Sequence, residues 1–170
     1  MSDEPIERAI ISQLDRLKVP YELVPCDPEY ADTAAFCERY GYPPDHSANT
    51  ILVASKREPK HYAACVVLAT TRLDVNKRVR KLMGVSKLSF ASQEETREVT
   101  GMTLGGVTVF ALPPAVPLYV DDRVMGLDYV ILGGGSRSLK IKTSPVVFER
   151  MEEAEVVSDL ALAPPGPAEG

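Results

Sequence analysis

Asn49-Thr50-Ile51-Leu52-Val53-Ala54-Ser55 opens on a polar pair and continues as an apolar, strand-forming run. A second run, His61 to Ala69, follows the short charged turn Lys56-Arg57-Glu58-Pro59-Lys60. Two such runs joined by so short a turn read as a hairpin. Upstream, Ile6, Ala9, Ile10, Leu14 and Leu17 share one helical face within Pro5 to Lys18, and Pro20 ends that helix. Tyr21 to Val24 reads as a short strand. Asp32-Thr33 caps a helix running to Tyr40, with Gly41 as its stop.

Downstream, Asp74 suits the N-cap of a helix from Val75 to Met83 that Gly84 closes. Lys87 to Ala91 reads as a strand, and Ser92 with Glu95 forms a capping box for a helix ending near Gly101. Leu104 to Leu112 reads as a glycine-led strand. Pro117 to Val120, Tyr129 to Leu132 and Ser138 to Lys142 are further strands, and Ser144-Pro145 starts a last helix. Roughly seven strands and four or five helices that do not alternate strictly disfavour a regular parallel α/β sheet. The expected fold class is α+β, with a mixed, strongly curved sheet flanked by helices. The domain is expected to span residues 1–151. Residues 152–170, acidic and then Pro/Gly-rich, read as a disordered tail.

The bulk numbers bound the function classes. The chain has 170 residues, 45% of them hydrophobic and 25% charged, as in one soluble globular domain. No apolar run approaches the roughly 18 residues that span a membrane. Met1-Ser2-Asp3-Glu4-Pro5 carries no hydrophobic signal core, so a cytoplasmic protein is expected. Cys26, Cys37 and Cys65 are odd in number and widely spaced, which suits free thiols. A net charge of −5 argues against coating nucleic acid, and DNA is not an expected partner. Local basic clusters remain: Arg72, Lys77, Arg78, Arg80, Lys81 and Lys87, then Arg137, Lys140 and Lys142. They read either as solvated faces or as patches that neutralise a few phosphates of an RNA end.

Most catalytic chemistries fail on residue type or spacing. His46 and His61 lie far apart with no ligand-spaced Cys or carboxylates, so neither a metal nor a cofactor is expected. No cysteine has a partner base, and there is no Gly-x-Ser-x-Gly. Gly101-x-x-x-Gly105-Gly106 lacks the Gly-Lys-Ser/Thr of a phosphate loop. The glycine pair either brings backbone N–H groups close to a ligand or marks a sheet corner.

The order of several blocks resembles the YbaK/EbsC family of aminoacyl-tRNA editing proteins, relatives of the editing insertion of prolyl-tRNA synthetases. These blocks are Cys26-Asp27-Pro28, Asp32-Thr33-Ala34, Asn49-Thr50-Ile51-Leu52, Leu73-Asp74-Val75-Asn76-Lys77, Ser89-Phe90-Ala91-Ser92 and Gly133-Gly134-Gly135-Ser136-Arg137. The resemblance implies a closed mixed β structure with flanking helices. It also implies hydrolysis of the ester of a mischarged tRNA, here tRNA-Pro carrying a small amino acid. The implied partners are the tRNA acceptor end and a prolyl-tRNA synthetase or the elongation machinery. Carried over, Asn49, Gly105, Gly106 and Thr108 would serve the reaction. Thr50, Gly134, Gly135, Ser136 and Lys140 would bind substrate, with Arg78 and Lys81 on tRNA phosphates. Two residues depart from the family pattern. Asn49 stands where a lysine is usual, and Val109 where the Gly-x-x-x-Pro loop has its proline. Asn49 carries no charge, so a binding module with weakened catalysis is the alternative reading. Lys140 is the candidate to have taken over the missing charge.

Overall fold

The computed structural model describes residues 4–162. Met1 to Asp3 and the Pro/Gly-rich residues 163–170, which enter the readings of the N-terminus and the tail, lie outside them. In chain order come α1 (Glu4–Leu17), β1 (Tyr21–Pro25) and α2 (Thr33–Tyr40). The hairpin β2 (Ala48–Ser55) and β3 (Tyr62–Leu68) follows, then the short β4 (Arg72–Leu73). A π-helical turn over Val75–Val79 leads into α3 (Arg80–Met83), β5 (Leu88–Phe90) and α4 (Gln93–Thr100). The remainder is β6 (Leu118–Asp121), β7 (Val130–Gly133), β8 (Leu139–Thr143), α5 (Val146–Arg150), β9 (Ala154–Val157) and β10 (Ala161–Leu162).

The signals that punctuate the chain act as read. Gly41, Gly84 and Gly101 end their helices in the left-handed region at φ 78°, 67° and 75°. The Ser92–Glu95 capping box closes in both directions. The hairpin pairs antiparallel, with Asn49 opposite Val67 and Val53 opposite Ala63. It forms the middle of a five-stranded mixed sheet of order β5-β2-β3-β6-β9. Strands β1, β8 and β7 make a second, antiparallel sheet, and β4 pairs with β10.

Alternation along β2 gives the five-stranded sheet two apolar faces. Leu52, Ala64, Val66, Leu118 and Val120 pack with Ile10 and Leu14 of α1 and with Phe148 of α5. On the other face Val53, Cys65 and Val67 pack with Val75 and Val79.

Three expectations are corrected. The sheet is not closed: the two larger sheets meet through one isolated bridge, Ser47 to Ile131, and a cleft opens beside it. Leu104 to Leu112 is not a strand. It turns at Leu104–Gly106, then drives Val109 and Phe110 into the core and gives the Ala111 N–H to Gln13 Oε1 at 2.7 Å. Residues 152–162 are not a disordered tail, because β9 pairs in parallel with β6 and β10 with β4.

Candidate functional site

The junction between the two larger sheets holds a cavity of about 240 Å³. The first turns of α2, the start of β2, the loop around Gly105, the end of β7 and one residue of β8 converge on it. Asn49, Thr50, Gly105 and Lys140 line it together, joined by Asp32, Thr33, Phe36 and Gly133. Residues far apart in sequence meet here because β1 and β7 flank β8 and carry it against the N-terminal end of β2.

Lys140 is the only cation among the described residues that line the cavity. It is 6% exposed, and its ammonium donates to the Ala31 carbonyl at 2.5 Å and to the Gly105 carbonyl at 2.8 Å. The Phe36 ring lies 5.7 Å below it. Burial is the main cause holding its pKa below the ordinary lysine value. Arg137 adds to this, while Cys26 and the Asp32 carboxylate pull it back up. An ammonium has three donors, so one remains for the cavity after the two carbonyls are served.

Asn49 stands at the rim, where β2 leaves the sheet junction. Its Oδ1 accepts from Thr33 Oγ1 at 2.6 Å. Thr50, one residue on, points to the opposite side of the strand. Its Oγ1 is buried in the cavity wall and has no hydrogen-bond partner. A buried hydroxyl without a partner costs about 1–3 kcal/mol, so a bound molecule that supplies one gains affinity.

The Arg137 guanidinium straps the walls together. It donates to Asp32 Oδ1 at 3.3 Å, to the Leu104 carbonyl at 3.0 Å and to the Pro28 carbonyl at 2.9 Å. Gly105 sits at φ 90°, and a Cβ there would collide with this guanidinium. Gly133 lies so close to the Val107 carbonyl that it too has no room for a side chain. Neither Arg137 nor Gly133 was singled out for the site in the sequence. The signal present was the block Gly133 to Arg137, whose glycines mark a close approach of two loops.

Several expected site residues do not reach the cavity. Gly106 packs on the Ser136 backbone, and Gly134 on Leu139. Gly135 lies against Ile6 and Ile10 of α1. Ser136 is buried, and its hydroxyl donates to Glu7 Oε2 at 2.5 Å. Thr108 is fully buried with its Oγ1 unpartnered, outside the cavity lining. These residues pack the two loops together and against α1 and do not line the cavity. Val109, at the position of the family proline, belongs to the core. Arg78 and Lys81 line a separate cavity of about 570 Å³ with Lys77 and Arg80.

Burial pushes the Cys65 thiol up to about 12 and also raises that of Cys26. Among the described residues no group of three His, Cys, Asp or Glu side chains is placed to hold a metal. No described helix is long and apolar enough to cross a membrane.

A family model described as an aminoacyl-tRNA editing domain matches residues 27–151. The Prolyl-tRNA editing protein ProX of Acetoanaerobium sticklandii is 25% identical over 157 residues, covering 89% of this chain and 93% of that protein. A hypothetical protein of known structure superposes with a TM-score of 0.80 at 24% identity, over 91% of this chain and 99% of its own. A protein described as a candidate trans-editing enzyme for prolyl tRNA synthetase superposes at 0.76 and 21% identity, over 93% and 97%.

Proposed function

The chain belongs to the aminoacyl-tRNA editing domain family, and on that premise we propose that it is a trans-acting deacylase that hydrolyses the ester of a mischarged tRNA. The supporting observation is the meeting of one buried cation, Lys140, with an orphaned hydroxyl, Thr50 Oγ1, in a small cavity. The cavity, at about 240 Å³, is smaller than the roughly 300–1,000 Å³ of clefts for drug-sized ligands. It suits an aminoacyl group with a small side chain, and tRNA-Pro is the proposed carrier.

An aminoacyl ester is already activated. The protein has to hold the terminal nucleotide, orient the carbonyl and admit a water. In this reading Thr50 Oγ1 supplies a hydrogen bond to the bound end. The remaining Lys140 donor faces the carbonyl oxygen, where negative charge develops as water adds. The Asn49 carboxamide binds the adjacent ribose or phosphate at the rim without adding charge. Gly105 holds Lys140 through its carbonyl and leaves space for the ester. Acting in the cytoplasm on free mischarged tRNA, the domain would need no cofactor.

The test is release of amino acid from a panel of mischarged tRNAs incubated with the purified protein. Turnover of at least one, above the uncatalysed rate and lost in Lys140→Met, is the expected result. Tight binding without turnover across the panel overturns it in favour of a binding module.

A further inference from the structure

We infer that the unpaired 3′ nucleotides of the tRNA lie in a track leaving the ester cavity at Asn49, crossing the exposed ring of Phe90, and ending on Lys77 and Lys81. Because the track extends the ester cavity, it rests on the deacylase reading for the position of the terminal nucleotide.

The first observation is connectivity. Asn49 lines the ester cavity and also a groove of about 440 Å³ that runs over Val67, Val75 and Phe90. Asn49 lies on the same side of β2 as Val53, whose cross-strand partners are Ala63 and Phe90, so this groove follows the second face of the five-stranded sheet. The groove in turn shares Asp74 with the basic cavity of about 570 Å³. Ile51 is shared by the ester cavity and the groove as well, so three depressions are joined end to end by three shared residues.

The second observation is Phe90. It lies on β5, an edge strand, and is 59% exposed, the most of any large hydrophobic side chain among the described residues. An aromatic face left open beside a groove is a platform on which any base can stack.

The third observation is charge. Arg80 donates to the carbonyls of Asn76 and Ser86, and Arg78 Nε to that of Ser158, so both are tied to the fold. Lys77 and Lys81 are exposed and form no ion pair among the described residues. They stand four residues apart, across the junction of the π-helical turn with α3. On a chain of net charge −5, such a local cluster selects a polyanion by position. A ring followed by paired cations along one continuous groove fits single-stranded RNA, whose unstacked bases can lie on the ring.

The experiment is fluorescence anisotropy of the full chain with a short, unacylated single-stranded RNA ending in adenosine, so that no hydrolysis is needed for the signal. Phe90→Ala is expected to weaken binding at least fivefold with an unchanged salt slope, and Phe90→Tyr to restore it. Lys77→Ala/Lys81→Ala is expected to weaken binding at least tenfold. It should also flatten the slope of log K against log salt by about 1.4, or about 0.7 for each lost phosphate contact on a single strand. These side chains are at the surface, so unchanged circular dichroism verifies folding. Wild-type affinity in both the Phe90→Ala and the double-lysine variants, equal affinity for a blunt RNA duplex, or no RNA binding by the wild type overturns the track. The deacylase reading fails separately, in the mischarged-tRNA panel.

Discussion

Thr33 Oγ1 donates a 2.6 Å hydrogen bond to Asn49 Oδ1, which pins the carboxamide oxygen to α2 and leaves the NH₂ as the free end. Position 49, where the family resemblance implies a lysine, is therefore an ordered, neutral donor, and the cation of the same cavity comes from β8 as Lys140.

This arrangement predicts a charge swap. Lys140→Met keeps the length and bulk of the side chain but removes the ammonium, and deacylation should fall at least 100-fold. Stability should fall by about 1–3 kcal/mol, because the carbonyls of Ala31 and Gly105 lose their donor. Adding Asn49→Lys to that variant should recover at least tenfold in kcat/KM. The rates are read on mischarged tRNA. A double variant as inactive as Lys140→Met removes the idea that the charge has moved.

Thr50→Val separates binding from folding. The hydroxyl has no partner in the protein, so deleting it at nearly constant shape should leave stability unchanged or raise it by up to about 1 kcal/mol. The same change should raise KM about tenfold, since the bound end loses its hydrogen bond. Urea unfolding beside steady-state kinetics reads both effects. A loss of stability that matches the loss of activity would make Thr50 an ordinary packing residue.

The parts of the fold that rest on local chemistry were legible in the sequence. The apolar, strand-forming run that follows Asn49-Thr50 and the short turn after it dictate the hairpin, and the glycines at 41, 84 and 101 dictate helix ends. The segment from Leu104 was not legible, because apolar residues that plug a core look the same as apolar residues that pair in a ladder. Strands β4 and β10, of two residues each, exist only through their pairing and carry no periodicity. Asn49 and Thr50, singled out by their block alone, line the candidate cavity. The convergence of Lys140 on them depends on how β8 lies between β1 and β7, and no local signal carries that. The glycine clusters were visible, but only side-chain space tells Gly105, on the cavity, from Gly106, on the opposing loop.

Gly105→Ala should damage both fold and site. At φ 90° an alanine is strained by about 1–3 kcal/mol, and its methyl would displace the Arg137 guanidinium from Asp32 and Leu104. Arg137→Ala removes the collision along with the strap. The two effects should therefore be less than additive in a double-mutant cycle of unfolding free energies. Full additivity would mean that the loop and the strap are independent.

The acid limb of stability should be set in part by Glu95. Its Oε1 accepts the Ser92 N–H at 3.0 Å, and its Oε2 accepts from Lys60 Nζ at 2.8 Å, tying the start of α4 to the hairpin turn. The Lys60 hydrogen bond, then the Ser92 N–H, pull the carboxyl from 4.5 to about 2. A carboxylate whose folded pKa lies below its unfolded one stabilises the fold above the unfolded value. That contribution is therefore complete above about pH 4.5, declines as the pH falls below it, and is gone below about pH 2. The side chain is a quarter exposed, so salt should weaken the Lys60 part more than the capping part. Glu95→Gln should be less stable than wild type at neutral pH, and its stability should depend less on pH between 5 and 3. Denaturant midpoints measured across that range, at low and high salt, read the difference. Parallel curves for the two proteins would show that Glu95 titrates as it does in the unfolded chain.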